Sequence, residues 1–313
     1  MSQYVVGAYP ASPAHRNWDP ELEKSFFNLL SRDKRVSALE LPWLGKAHPH
    51  DVDWLYNNFP KNLNAVITSI PFVMGQLSKD PTYGLASSSE SGREKAIADI
   101  RIIFEAIKEF NNRTGREVVS TLEIHSAPRE TGNSDSLAKS LETINSWNWE
   151  DTKLLIEHCD AFIAGQTPEK GFISLQDEIE AINKSDAKIG ILINWGRSAI
   201  EFRDADRVLE HLEIAKQSGL LSGLIFSGAS DQQGLFGYPW IDAHHPFKKD
   251  NQHRFGDPDS LLTPARAKAA IDLVGDIPLL GIKMGWPNEV PGGVEERFEM
   301  ISSALDELEK QSK

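Results

Sequence analysis

The sequence is poor in three features, each of which would indicate a particular class of protein. Its 313 residues include one cysteine, Cys159, so neither an intramolecular disulfide nor a cysteine-rich zinc site can form. No apolar run approaches the roughly 18 residues that a membrane-spanning helix needs. The N-terminal MSQYVVGAYP also has no basic segment of the kind that begins a signal peptide. We therefore expect a cytoplasmic protein with no membrane partner.

Positive charge is also scarce. Lys and Arg number 33 against 46 Asp and Glu, which gives a formal net charge of −13, and no basic run is present. Because nucleic-acid binding depends on Lys and Arg contacts to phosphate, this balance argues against a nucleic-acid partner. It does not exclude a small anionic substrate, since a local pocket can be positive on an acidic protein.

The chain instead has a repeated alternation of short β-rich runs and longer amphipathic segments. The predicted strands cover residues 4–9, 36–42, 64–70, 118–125, 153–160, 188–194, 223–227 and 279–284. The predicted helices cover residues 20–31, 50–58, 91–111, 136–147, 175–183, 205–217, 264–274 and 295–308. Such alternation predicts a parallel sheet, which right-handed crossovers close most simply into an α/β (β/α)₈ TIM barrel, here a single domain over residues 1–313.

An open, doubly wound sheet is the alternative fold. It usually has a glycine-rich turn after its first strand, and Gly7-Ala8-Tyr9-Pro10 is not such a turn. Long loops follow strands three, five and seven of the predicted barrel, at residues 71–90, 161–174 and 228–260. Loops of this length are usually lids or binding loops, and here all three would lie on the face where barrel enzymes have their active sites.

Polar side chains are concentrated at the ends of the predicted strands. Alternation along strand four places Glu123 and His125 on one face and Leu122 and Ile124 on the other, so the polar pair should face the barrel axis. An unpaired carboxylate there would be costly, so a cation, a ligand or a metal should accompany it. Satisfied buried ion pairs without chemistry are the alternative. Strand-end residues from other strands complete this axial ring: Glu40, Glu157, Asn194 and Lys283.

Two further groups of residues lie near these strand ends. Glu157 and His158 are adjacent and must point to opposite faces, and we expect Glu157 to be the axial one. The loop after strand seven contains an Asp and two His that could bind a metal, together with aromatic residues that suit a lid over a sugar. A solvated loop is the alternative for this group, which comprises Tyr238, Trp240, Asp242, His244 and His245.

The order of the strand-end residues resembles that of the xylose isomerase-like barrels, a superfamily of sugar isomerases and epimerases, and indicates an uncharacterised branch of it. In that family a Glu, an Asp, a His and a Glu on successive strands bind a divalent metal. Glu157 matches the first ligand, whereas the other three positions hold Asn194, Ser227 and Lys283. Arg197 stands where the family's Asp-x-x-His pattern has its His.

These departures remove negative charge or metal donors, and a divalent cation beside Lys283 and Arg197 is electrostatically disfavoured. We therefore predict no cofactor and no metal ligands. In place of the metal, the Lys283 ammonium should pair with Glu157 across the barrel mouth. A divalent Mn, Mg or Zn ion at Glu157 is the alternative. By resemblance, the partner is a small-molecule sugar or sugar acid, and the chain can form a homo-oligomer.

The resemblance implies a sugar or sugar-acid isomerase or epimerase that acts by proton transfer next to a carbonyl. This chemistry needs a base and an electrophile that stabilises an enediolate. The predicted catalytic residues are Glu157, Lys283, Glu123 and His125. The predicted substrate-binding residues are Glu40, Trp43, His158, Asn194, Arg197, Trp240, His244, His245 and Trp286.

Three other functions stay open. Lys283 could form a Schiff base, as in lyases. A glycoside hydrolase-like enzyme could use Glu123 and Glu157 as a carboxylate pair about 5–10 Å apart. A non-catalytic sugar-binding protein could have kept the barrel and lost the metal.

Overall fold

Eight parallel strands close into a barrel in the order β1-β2-β3-β4-β5-β6-β7-β8 in the computed structural model, which describes residues 3–311. The register pairs Val5 of the first strand with Gly281 of the last, so the sheet has no free edge. The predicted (β/α)₈ TIM barrel is confirmed. The strands are β1 (Tyr4–Gly7), β2 (Val36–Pro42), β3 (Asn64–Thr68), β4 (Val119–Ile124), β5 (Lys153–His158), β6 (Ile189–Asn194), β7 (Leu221–Phe226) and β8 (Leu279–Lys283).

Helices cover the outside of the barrel, and ten lie within residues 3–311. None of these ten helices is long and apolar enough to cross a membrane. The helices are α1 (Pro20–Arg32), α2 (Val52–Asn58), α3 (Ile70–Leu77), α4 (Glu90–Thr114), α5 (Ser134–Asn145), α6 (Leu175–Ser185), α7 (Trp195–Phe202), α8 (Val208–Gln217), α9 (Pro264–Val274) and α10 (Val294–Gln311).

Two helices were not predicted. Helix α3 lies in the segment predicted as the long loop after strand three. Helix α7 begins at the residue that follows β6, without a connecting turn. The Asn194 side chain makes this possible, because its oxygen accepts a hydrogen bond from the Arg197 backbone N–H at 3.3 Å and so caps the helix.

A cluster of apolar residues inside the barrel shows which side chains of each strand point inward. One residue from seven of the eight strands forms this inner cluster: Val5, Ala38, Val66, Leu155, Leu192, Ile225 and Leu279. Because side chains alternate along a strand, the residue two positions further on points to the same interior. That rule places a layer of polar residues above the apolar cluster, at the C-terminal ends of the strands: Glu40, Thr68, Glu157, Asn194 and Ser227.

Candidate active site

The structure brings the axial ring together at the C-terminal mouth of the barrel, and each of its six members is at most 2% exposed. The exposed fractions are 1% for Glu40, 0% for Glu123, 2% for His125, 1% for Glu157, 0% for Asn194 and 0% for Lys283. Six ionisable or amide side chains thus share one interior without bulk water. Their mutual contacts decide which of them are charged.

Glu157 is surrounded by hydrogen-bond donors. Its Oε2 lies 2.6 Å from the Arg197 guanidinium and 3.0 Å from His125 Nε2, and its Oε1 accepts a hydrogen bond from the Asn194 amide at 3.1 Å. Burial alone would raise the pKa of Glu157, but the charges of Arg197 and Lys283 and the hydrogen bond from His125 hold that pKa well below its usual value. Glu157 is therefore ionised.

Lys283 pairs with Glu40, whose Oε1 lies 2.5 Å from the ammonium nitrogen. The predicted direct pair between Lys283 and Glu157 is wrong. Gly7, the register partner of Lys283 on β1, leaves the space that lets the lysine reach across to β2. A Cβ atom on Gly7 would lie 2.7 Å from Lys283 Cγ and 2.9 Å from Glu40 Oε2.

The Lys283–Glu40 pair has an incomplete hydrogen-bond shell. Burial would lower the pKa of Lys283, but Glu40 and Tyr9 raise it well above its ordinary value, so the lysine is charged. Burial raises the pKa of Glu40, although Lys283 opposes that effect. Glu40 Oε2 has no hydrogen-bond partner among residues 3–311. Glu40 Oε2 can therefore accept a hydrogen bond from another donor.

Glu123 is the neutral carboxyl of the ring. Neither of its oxygens has a hydrogen bond of ordinary geometry to the described residues. Burial raises the pKa of Glu123 well above its usual value, and the negative charges of Glu40 and Glu157 add to the effect. The Thr68 hydroxyl, which its register places on the neighbouring strand, offsets the shift only in part. The raised pKa favours the protonated form of Glu123, which needs no cation beside it.

The long loops after β5 and β7 meet above Arg197, an arrangement that we call the clasp. Asp242, from the loop after β7, accepts hydrogen bonds from Arg197 Nε at 3.0 Å and from Lys170 Nζ at 2.8 Å. Lys170 belongs to the loop after β5, where the neighbouring Glu169 accepts a hydrogen bond from the Tyr238 hydroxyl at 2.7 Å. The Arg197 guanidinium is therefore paired with Glu157 through Nη1 and with Asp242 through Nε.

His244 and His245 turn in opposite directions. His244 faces the ring, with its Nδ1 2.9 Å from the Ser227 hydroxyl and 3.4 Å from Asp242 Oδ1. Burial lowers the pKa of His244 to about 3, so its imidazole is neutral. His245 instead lies 2.6 Å from Asp257 and packs on a phenylalanine ring. The two histidines therefore do not converge on one point, and His245 contacts Asp257 rather than the axial ring.

His158, another predicted substrate-binding residue, lies apart from the axial ring and contacts Glu178 and Glu201. It follows Glu157 in β5 and so points to the outside of the barrel wall, as strand alternation requires. There its Nδ1 lies 2.8 Å from Glu178 of α6 and its Nε2 3.1 Å from Glu201 of α7.

The three predicted tryptophans have separate surroundings. Trp43 is buried in the core between sheet and helices. The Trp286 indole N–H donates to the Val290 carbonyl at 2.9 Å, and Trp240 is half-buried beneath the Arg203 guanidinium. None of these contacts is with a member of the axial ring.

Residues 5–300 match the family described as Domain of unknown function (DUF4862). The chain belongs to the DUF4862 family. It is also 35% identical over 316 residues to an uncharacterised protein of Salmonella typhimurium, in a match that covers 98% of this chain and 97% of the relative.

Solved structures similar to this DUF4862 protein share its barrel. A xylose isomerase domain-containing protein from Salmonella typhimurium matches with a TM-score of 0.61 and 9% identity, over 97% of this chain and 96% of the other. A D-allulose 3-epimerase from Methylomonas sp. matches with a TM-score of 0.58 and 10% identity, over 100% of this chain and 97% of the other. An AP endonuclease of family 2 from Brucella melitensis matches with a TM-score of 0.57 and 14% identity, over 94% and 96%. The predicted xylose isomerase-like fold is confirmed.

The residues of the DUF4862 protein do not fit the divalent metal of the xylose isomerase-like barrels. The Asn194 side-chain oxygen is used to cap α7, and its amide nitrogen donates to Glu157. The Ser227 hydroxyl is engaged by His244, and Lys283 is held as a cation beside Glu40. A divalent cation would meet one carboxylate and a positive charge, which is a poor ligand set.

Sequence reasoning missed a cavity of about 20 Å³ beside Glu40. The Trp18 ring stacks on His50 with centroids 5.2 Å apart, and His48 packs against the same ring. These residues come from the loops after β1 and β2, where tryptophan and histidine are unusually frequent, and that density is the signal that could have found them. The other polar or aromatic lining residues are Tyr9, His15, Glu23 and Phe27.

Proposed function

We propose that this DUF4862 protein is a sugar or sugar-acid isomerase or epimerase that moves a proton next to a carbonyl without a metal ion. The observation that carries the proposal is the unequal bonding of the two Glu40 carboxylate oxygens. Its Oε1 pairs with Lys283, while its Oε2 is buried without a partner among the described residues. Because an unpaired buried carboxylate oxygen is unfavourable, a proton of a bound substrate is its natural complement.

Glu40 is better suited to the role of base than Glu157. Burial raises the pKa of Glu40 towards the working pH, which strengthens it as a base. Glu157 was predicted as a catalytic residue, but its pKa is low and both of its oxygens already accept hydrogen bonds. In this proposal Glu157 holds Arg197 and His125 in place.

The proposed step transfers one proton and one electron pair. Glu40 Oε2 takes the proton from the carbon next to the carbonyl, and the C–H electrons form a C=C bond while the carbonyl π pair moves to oxygen. The Lys283 ammonium stabilises the resulting enediolate oxygen. Protonation of that carbon on the opposite face by a second acid gives an epimer. Return of the proton to the former carbonyl carbon gives an isomer, provided that the neighbouring hydroxyl proton moves to the former carbonyl oxygen as the new C=O bond forms. Glu123, which is neutral, is the second acid available in the ring.

Aromatic rings beside Glu40 support a sugar as the substrate. Trp18 and His50 offer flat faces to the C–H groups of a sugar ring, and the neighbouring histidines can hydrogen-bond to its hydroxyls. The cavity of about 20 Å³ holds little more than a water molecule. The loops that carry Trp18 and His48 must therefore move when a sugar binds.

A glycosidase is the second candidate. A neutral Glu123 and an ionised Glu157 are the acid and base pattern that glycoside hydrolysis uses. It ranks second because Arg197, His125 and Asn194 occupy the Glu157 oxygens. A Schiff-base lyase has less support, because Lys283 is held as an ammonium and a nucleophile must be the free amine.

The test is a screen for sugar interconversion in D₂O. A panel of aldoses, ketoses and sugar acids is incubated with the protein, and NMR follows new sugars and deuterium next to the carbonyl. We expect conversion of one substrate class, and a loss of about 10²–10⁴-fold in Glu40→Gln, which keeps the side-chain size but removes the base. The matched control is Glu307→Gln, since Glu307 is an equally buried glutamate that bonds to Gln252.

Other outcomes would replace the proposal. Release of sugar from aryl glycosides, lost in Glu157→Gln, would identify the glycosidase. A sugar that binds to the wild type and is recovered unchanged would identify a sugar-binding protein.

A further inference from the structure

A second cluster of metal-binding residue types lies outside the barrel wall, apart from the axial ring. His158 ends β5, Glu201 lies on α7 and His211 lies on α8. Their side chains are 0%, 8% and 3% exposed, so the cluster sits just beneath the surface. The sugar binding and proton transfer proposed at the axial ring do not involve this cluster.

The three side chains converge on one point. His158 Nε2 lies 3.1 Å from one Glu201 oxygen, and His211 Nε2 lies 3.3 Å from the other. The ligand atoms of the three residues all lie within 4.8 Å of one another. Ligands at tetrahedral corners around a zinc ion, with bonds of about 2.0 Å, are roughly 3.3 Å apart. Both histidine–glutamate spacings are close to this value, but they are measured to different oxygens of Glu201, so coordination through one oxygen requires the imidazoles to shift.

The Nδ1 atom of each imidazole lies within hydrogen-bond distance of a further side-chain oxygen. His158 Nδ1 lies 2.8 Å from Glu178, and His211 Nδ1 lies 2.9 Å from the Ser198 hydroxyl. Glu201 is oriented as well, because its Oε2 accepts a hydrogen bond from the Ala161 backbone N–H at 2.8 Å. Histidines that bind metals almost always have this arrangement, which aims the inner nitrogen at the ion and sets its tautomer.

The charges also suit a divalent cation. Glu178 and Glu201 contribute two negative charges, and a dication balances them with both imidazoles neutral. His158 lies between the two carboxylates, with Nδ1 2.8 Å from Glu178 and Nε2 3.1 Å from Glu201.

We propose that His158, Glu201 and His211 bind one Zn²⁺ ion, with solvent at the fourth position. Two imidazoles and one carboxylate suit zinc, whereas Mg²⁺ and Ca²⁺ prefer ligand sets made of oxygen alone. Because the ligands come from β5, α7 and α8, the ion ties helix α7 to the barrel. Its role is structural, since none of the three residues contacts the axial ring.

The experiment measures zinc per chain in the full-length protein. The protein is stripped with EDTA, reloaded with Zn²⁺ and passed through gel filtration, and elemental mass spectrometry then gives the stoichiometry. Competition with a chromophoric chelator gives the affinity, and visible absorption after Co²⁺ loading reports the coordination. We expect one zinc per chain, and a loss of at least about 100-fold in affinity in Glu201→Gln and in His211→Gln.

Two further variants keep the test decisive if a ligand variant fails to fold. Ser198→Ala removes only the hydrogen bond that orients His211, and we expect it to weaken zinc binding about 10–100-fold. Glu157→Gln in the axial ring should leave zinc binding unchanged. The proposal is overturned if the wild type retains no zinc, if Glu201→Gln and Ser198→Ala bind zinc as the wild type does, or if only Glu157→Gln loses it.

Discussion

Gly7 shows how one residue without a side chain determines a contact between two others. The partner of Lys283 could not be predicted from the sequence, because alternation fixes which face a side chain points to but not which neighbour it reaches. Glu157, the predicted partner, and Glu40 both lie on that face. The absence of a side chain at Gly7 opens the path to Glu40, and Arg197 already neutralises Glu157.

Gly7→Ala tests this interpretation. The new methyl group would overlap Lys283 Cγ and Glu40 Oε2, so we expect at least about a 10-fold loss of sugar interconversion and a loss of about 1–3 kcal/mol in the free energy of unfolding. Enzyme assay and urea denaturation measure the two effects. Gly75→Ala is the control, because a Cβ there meets nothing within 4 Å beyond its chain neighbours and the backbone of its own helix. Wild-type behaviour of both variants would contradict the prediction.

The protonation of Glu123 predicts a specific dependence of stability on pH. A carboxyl group whose pKa is raised on folding stabilises the protein fully below its unfolded-state pKa, and that contribution is lost as the pH rises through the folded-state pKa. Glu123→Gln mimics the protonated side chain at every pH. We therefore expect the stability of this variant relative to the wild type to increase from about pH 5 to about pH 8 in urea denaturation. A constant difference across that range would show that Glu123 does not titrate there.

At the scale of elements, the strands were predictable and two helices were not. Each strand is an apolar run between polar segments, and the same alternation that identified the strands placed Glu123 and His125 towards the axis. Helix α7 was missed because it begins directly at the end of β6, where Trp195 and Gly196 continue the chain without a turn. Its start depends on the Asn194 cap, which becomes recognisable only when the strand end is known.

Asp242 joins the two long loops of the clasp, so Asp242→Asn should disturb both. The substitution weakens the contacts with Arg197 and Lys170 and leaves buried positive charge uncompensated, for which we expect a loss of about 3–5 kcal/mol in the free energy of unfolding. Limited proteolysis should then cut within residues 161–174 or 228–260 before the rest of the chain. Asp272→Asn, which breaks an exposed pair with Lys268, should change stability by less than about 0.5 kcal/mol. Equal effects of the two variants would refute the special role of the clasp.

At the scale of the whole molecule, the two proposed sites predict separate responses to a chelator. Removal of zinc from His158, Glu201 and His211 should lower the melting temperature by a few degrees, because an ion that binds only the folded state stabilises it. Sugar interconversion per folded molecule should stay unchanged, since Glu40 and Lys283 carry the proposed chemistry. Scanning calorimetry and the interconversion assay, each with and without EDTA, measure the two responses.

Glu201→Gln is the internal control for this prediction. Its melting temperature should already be low and should not respond to EDTA. A loss of sugar interconversion on chelation that added Zn²⁺ restores would contradict the metal-free chemistry, whereas an unchanged melting temperature would contradict the structural ion.

The complete burial of the axial ring also means that any ligand needs the surrounding loops to open twice, once for entry and once for release. With no member more than 2% exposed, the proposed function requires the surrounding loops to part before a sugar reaches Glu40 and again before the product leaves. Loop motions of this kind take microseconds to milliseconds and often limit enzyme turnover. If loop opening is slower than proton transfer, we expect different sugars to turn over at similar rates. Selectivity then depends on which sugars enter the site and not on how fast each one reacts.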